Sequence, residues 1–383
     1  MPIRILCIDD SKTICFIVAS ALRPYDCLVS EAANGLEGLA AIASEKPDLI
    51  ILDINMPVMD GFTMLTKLRE DEALLGIPVI MLTGWSGQER ELQIAALKVQ
   101  DYLVKPFTKE QLIEKVGRVV SLQRKSTVDP QGMTSPSAPP VSKVEDDAAA
   151  KPYWLEPIPA SVACLAALVA QQNVDLEEIA RVIIKDPALT KRLLKDTNLE
   201  YEDEIANVER AVALKGISCV LLLTMGDLVG RALLKTFQTM LEIKLETLSS
   251  KTIELPAGLH ILSEVRFSGN AFGRIALRLT QPSARVIASR MLRLDPKELT
   301  DTLRIDDAIC ELTNMVAGNF LSNLADAGLQ SRLAPPKVRR TDEFEIWSIP
   351  GSMSERLAFR ASEIIIIVDI IVDPWKGNNP LEP

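Results

Sequence analysis

The sequence predicts a multidomain chain: an α/β unit with a doubly wound, parallel five-stranded sheet, an all-α middle, and an α+β unit at the C-terminus. Three observations carry this. The chain has 383 residues, more than one domain ordinarily holds. Before residue 125, short apolar runs alternate with amphipathic stretches, the signature of βα units. Residues 126–150 then break every periodic pattern with Pro130, Pro136, Pro139, Pro140, several serines and the acidic run Glu145-Asp146-Asp147. Such a composition cannot bury a core and reads as an extended linker.

The apolar runs at 3–8, 28–30, 49–52, 79–82 and 102–104 read as strands. Amphipathic stretches open near Ser11, Asn34, Gly61 and Gln88, and another follows Thr108. Five βα units of this size imply an open parallel sheet covered on both faces, with ligands outside the carboxyl ends of the strands. After the linker, residues 151–245 read as a helical bundle. Asp175 caps a helix over 176–185, Asp186-Pro187 starts another with proline at its first position, and Asn207 caps a third over 208–215 that ends at Gly216. Residues 250–373 read as α+β, with strands around 275–279 and within 357–371 flanking helices near 282–293 and 300–327; residues 374–383 form a tail.

Composition excludes several functions. Hydrophobic residues make up 48% and charged residues 25%, so the chain as a whole is not disordered. A net charge of −10 and a pI near 5.0 disfavour nucleic acid as a partner, and no basic recognition helix appears. The one histidine, His260, rules out paired-histidine zinc sites and HD-type phosphohydrolase centres, and reads as structural. The six cysteines form no C-x-x-C pair, and Cys7 lies in an apolar run as a small hydrophobe. No apolar stretch reaches the ~18 residues of a membrane span, and Asp9-Asp10 arrive too early for a signal peptide, so the expectation is a cytoplasmic protein without membrane insertion.

The first unit concentrates its chemistry at one edge. The first strand ends in Asp9-Asp10, the third in Asp53 followed by Asn55-Met56-Pro57, the fourth in Thr83-Gly84, and the fifth leads into Lys105-Pro106. Three carboxylates, a hydroxyl and an ammonium therefore converge, and crowded carboxylates call for a cation. Residues 1–125 resemble the response-regulator receiver domain, a flavodoxin-like fold whose single-domain form is the chemotaxis protein CheY. The resemblance implies that Asp53 is the phosphoacceptor and that Asp9, Asp10, Asp53 and the backbone carbonyl of Asn55 hold Mg²⁺. It implies that Thr83 and Lys105 bind phosphoryl oxygens, that Lys105-Pro106 is a cis peptide, and that Tyr102 is the switch aromatic. Trp85, bulky and two residues past Thr83, departs from the pattern beside the pocket.

In the middle, the strings around Ile179-Ala180, Asp186–Leu194 and Val208–Gly216 are similar to the first part of the HDOD domain, a helical bundle related to HD phosphohydrolases without their metal ligands. A packing or partner-binding role is expected. In the last unit, Ile305, Ala308, Ile309, Leu312, Met315, Val316 and Phe320 share one side of the helix over 300–327. Asp307, Glu311, Asn314 and Gly318 line up on the opposite, exposed side; a helical glycine, about 1 kcal/mol worse than alanine, wants a reason such as close approach of another chain. The string Glu311–Asn319, with Asp307 before it and Pro335-Pro336 after it, resembles the active helix of CheX/CheC/FliY phosphatases, and the single motif points to CheX. The resemblance implies an aspartyl-phosphate phosphatase in which Asn314 orients water and Glu311 pairs with a receiver lysine, with Asp307 and Gly318 supporting docking.

The expected function is thus a two-component response regulator whose CheX-like output dephosphorylates a receiver; a non-enzymatic docking adaptor is the alternative. Expected partners are a sensor histidine kinase or small phosphodonor, a CheY-like phosphorylated receiver, and a second copy of the chain joined through the C-terminal sheet, in which the runs at 364–368 and 370–372 supply core strands and part of the edge. A separate receiver is favoured over the chain's own as the main substrate.

Overall fold

The computed structural model describes residues 2–84, 99–125, 161, 164–165, 168, 175–198, 205–248, 258–269, 272–326, 329, 331–342 and 352–373. Trp85, the helix expected near Gln88, the linker over 126–150 and the tail over 374–383 lie outside the described residues.

The first unit is built from β1 (Ile3–Ile8), α1 (Lys12–Leu22), β2 (Cys27–Ala32), α2 (Gly35–Ser44), β3 (Leu49–Asp53), α3 (Gly61–Glu70), β4 (Val79–Thr83), β5 (Asp101–Val104) and α4 (Lys109–Val119). The strands are parallel in the order β2-β1-β3-β4-β5. Alternation along β1 sends Ile5 and Cys7 to one core and Leu6 and Ile8 to the other, so the sheet is buried on both faces. Polar caps fix where each helix begins: Ser11, Asn34, Asp60 and Thr108 each accept a hydrogen bond from a first-turn N–H, and Gln111 completes a capping box with Thr108. All of these loops open at the carboxyl edge of the sheet.

In the middle, α5 (Leu176–Ile184), α6 (Pro187–Asn198) and the start of α7 (Val208–Thr236) bury Ile179, Ile183, Leu193, Ala211 and Val212 together. Helix α7 does not stop at Gly216 as the sequence suggested but runs 29 residues, followed by a π-helical turn over Phe237–Leu241. A glycine weakens a helix by about 1 kcal/mol, and the burial of Met225, Leu228, Val229 and Leu233 beyond it outweighs that. These residues join the core of the C-terminal sheet, so one core crosses the position where the helical bundle was expected to end.

The C-terminal sheet is antiparallel, in the order β10-β7-β8-β12-β11-β6, with β9 paired to β7. Its strands are β6 (Glu246–Leu248), β7 (His260–Gly269), β8 (Gly273–Thr280), β9 (Ser331–Leu333), β10 (Lys337–Thr341), β11 (Met353–Ala361) and β12 (Ile364–Val372). The turn at Ser362, in the left-handed region with φ 50°, divides the apolar stretch after 353 into two strands. Strand β12 lies between β8 and β11, so the run of isoleucines is interior; among the described residues the sheet ends at β10 and β9 on one side and at β6 on the other. Helices α7, α8 (Gln281–Leu292) and α9 (Thr302–Asp326) cover one face. Phe320 of α9 meets Phe267 of β7 edge-to-face at 5.4 Å, anchoring the helix to the sheet.

Candidate functional site

Asp9, Asp10 and Asp53 leave the ends of β1 and β3 with carboxylate oxygens all within 4.8 Å of one another. Lys105, just past β5, reaches in between them: its Nζ lies 2.7 Å from Asp9 Oδ2 and 3.0 Å from Asp53 Oδ1. The Ser11 N–H donates to Asp9 Oδ1 and the Asn55 N–H to Asp53 Oδ2, which fixes both carboxylates. Asp9, Asp53, Thr83 and Lys105 are buried, while Asp10 and Asn55 are exposed at the rim. The Lys105-Pro106 bond is cis. Tyr102 is half-buried on β5, with the Lys115 ammonium 5.6 Å from its ring centre.

The fourth carboxylate comes from more than 200 residues further along the chain. Helix α9 lies across this edge, and Glu311 Oε1 sits 3.8 Å from Lys105 Nζ, near enough to pair but too far to hydrogen-bond. Asp307, one turn earlier, accepts hydrogen bonds from both the N–H and the hydroxyl of Thr13 at the start of α1, at 2.9 and 2.5 Å. At the other end, a Cβ on Gly318 would lie 3.2 Å from the Gly84 carbonyl oxygen. The helix therefore touches the receiving edge beyond β1, β5 and β4 in turn. Asn314, half-buried, lies between Glu311 and Gly318 on the same stripe, and β3, which carries Asp53, lies between β1 and β4.

The stripe that the sequence presents as an exposed face is covered: Glu311 is 4% exposed. Sequence reasoning assembled both halves of this site but missed what joins them. Thr13 carries no motif signal, nor does the pair formed by Phe16 and the Arg304 guanidinium, 5.1 Å from its ring centre. Pro335 and Pro336 fall in the turn between β9 and β10, and His260 is buried at the start of β7.

An excess of buried negative charge dominates the electrostatics. Burial lifts the Asp9 carboxyl well above its usual range, with Lys105 opposing and Asp53 and Glu311 adding to the shift. Burial and Asp53 also raise Asp10, and burial raises Glu311 against the pull of Lys105. Burial disfavours the Lys105 charge, but Asp53, Asp9 and Glu311 outweigh it and hold the ammonium well above its ordinary value. One lysine does not balance four carboxylates, and a hard divalent cation with oxygen ligands is the group that this donor set fits.

Three families match the chain in order. Residues 5–117 match the response regulator receiver domain, 155–258 the HDOD domain, and 261–359 the chemotaxis phosphatase CheX. Protein PilG of Pseudomonas aeruginosa is 35% identical over 29% of this chain and 82% of its own length. The chain belongs to the response-regulator receiver family. This response regulator is also 39% identical to the DNA-binding dual master transcriptional regulator RpaA of Synechocystis over 34% of the chain, and spans about half (53%) of RpaA's length. A chemotaxis protein CheX structure from Desulfovibrio desulfuricans aligns with 39% of this response regulator and 99% of its own chain, at 20% identity and a TM-score of 0.34. No helix among the described residues is long and apolar enough to cross a membrane.

Proposed function

We propose that this response regulator accepts a phosphoryl group on Asp53 and that its CheX-like domain hydrolyses the aspartyl phosphate of a receiver. The observation that carries the reading is the seating of α9 on an acidic receiver pocket, with Glu311 beside Lys105, Gly318 against Gly84 and Asn314 between them.

In this mechanism Thr83 and Lys105 hold phosphoryl oxygens, and Glu311, fixed by the Lys105 charge, sets the register of the helix. Asn314, whose side-chain amide both donates and accepts, orients a water molecule in line with the phosphorus. The water oxygen bonds to phosphorus as the bond from phosphorus to the Asp53 oxygen breaks, leaving a carboxylate and inorganic phosphate; the water proton leaves with the phosphate or solvent. Positioning and charge do the chemistry, so no histidine base or nucleophile is needed. Asp9, Asp10, Asp53 and the Asn55 carbonyl are the groups that would hold Mg²⁺, which when bound neutralises charge on the phosphoryl oxygens. Phosphorylation adds about two negative charges to the pocket, and repacking around Tyr102 would carry that change to the receiver surface.

The partners implied are a sensor histidine kinase or small phosphodonor, and a second copy of the chain, for which β10, β9 and β6 rather than β12 are the edges among the described strands. The middle helices are a docking bundle in this reading. The test is phosphate release from protein phosphorylated with acetyl phosphate, comparing wild type with Asn314→Ala; equal rates would remove the phosphatase reading.

A further inference from the structure

We propose that α9 serves the receiver of its own chain and that, while this receiver is docked, the helix is closed to receivers of other molecules. The proposal rests on the hydrolysis reading above and adds the identity of the substrate, in place of the separate receiver that the sequence favours.

The docking surface is built from both units, not left over from either. The N–H of Thr13 lies in the first turn of α1, where no carbonyl of its own helix can reach it, and Asp307 supplies the acceptor. A carboxylate at a helix N-terminus is also favoured by the helix dipole. Phe16, one turn on, packs against the core of the C-terminal sheet and under Arg304. Ile17 and Ala21 continue the same face toward Met240, Met291 and Leu292 across a shared groove. Gly318 completes it at Gly84, where the two backbones come close enough that a side chain would have to push one away. With the receiver seated, Asp9 is 2%, Asp53 5% and Lys105 5% exposed.

A second receiver would need the same stripe of α9, which one receiver fills. A tethered partner is present at an effective concentration on the order of millimolar, so an outside receiver at about 10 μM competes at a roughly hundredfold disadvantage. Dephosphorylation should therefore be first order in the chain, with a half-life independent of its concentration.

The experiment mixes two full-length chains. One carries Asn314→Ala and is phosphorylated with acetyl phosphate; the other carries Asp53→Asn and keeps an intact α9. The expected result is that the phosphate persists about as long as on the first chain alone. Adding Thr13→Asp to the second chain sets a carboxylate against Asp307 while remaining a favourable residue for the first turn of α1, so its receiver folds but undocks. With Gly318→Leu also placed on the first chain, so that its phosphorylated receiver leaves its own helix while Thr13 and Gly84 stay intact for docking elsewhere, release from the mixture should rise by tenfold or more. Release from the first mixture at the wild-type rate would overturn the proposal, and so would release that stays slow once both receivers are undocked, by Thr13→Asp on the second chain and Gly318→Leu on the first. Failure of the underlying reading is separately visible: the phosphate on Asn314→Ala alone would then last no longer than on wild type.

Discussion

Gly318 separates folding from docking more sharply than any other position on α9. An added Cβ would lie 3.2 Å from the Gly84 oxygen and 3.7 Å from its Cα, so the first contact must open by a few tenths of an ångström. Within α9 itself the same methyl is favourable, because alanine exceeds glycine in a helix interior by about 1 kcal/mol. Gly318→Ala is therefore expected to raise the melting temperature of the C-terminal unit by about 2–4 °C while slowing loss of phosphate from Asp53 several-fold. Gly318→Leu cannot be accommodated by so small a shift. It should lift α9 by about 1 Å or more, and misplacement on that scale costs about a hundredfold in a positioning mechanism. Thermal unfolding by circular dichroism, paired with phosphate release from the phosphorylated chain, reads both effects. Wild-type hydrolysis by Gly318→Leu would refute the placement of this stripe against the receiver.

Three further outcomes follow from the same geometry. Acetyl phosphate with Mg²⁺ should label the wild type and Cys7→Ala but neither Asp53→Asn nor Asp10→Ala, as read by intact-protein mass. Phe320→Ala, which empties a fully buried site against Phe267, should destabilise the C-terminal unit by about 3–5 kcal/mol in urea unfolding and release the receiver with it. Burial, reinforced by Asp307, Asp306 and Glu311 against a Ser263 contact, pushes the Cys310 thiol up to about 11. At pH 8 that thiol stays protonated, so iodoacetamide should modify exposed Cys164 well before Cys310, with the Cys310 rate rising as pH approaches 11.

The receiver fold was legible in the sequence because its signals are local. Apolar runs bounded by Ser11, Asn34 and Thr108 mark strands and caps within a few residues, and four of the five strand ends carry the pocket. The helical middle was less legible. Gly216 looks like a stop only if the residues beyond it lack a partner, and their partner is a sheet whose strands lie elsewhere in the chain. The stripe on α9 was read correctly as to which residues share a face and wrongly as to exposure. Its cover, Thr13 and Phe16, lies about 290 residues away, and helical periodicity reports only that a face is polar. Gly318 was the one sign within α9 itself that something comes close.

In the proposed reaction α9 hydrolyses the phosphate on Asp53. The lifetime of that phosphate in the full-length chain, with Mg²⁺ and after removal of the phosphodonor, tests it most directly when wild type and Asn314→Ala are compared. Losing the residue that positions the water should lengthen the lifetime by about 10²–10³-fold, with Thr13 and Asp307 still docked. Indistinguishable lifetimes would contradict the account.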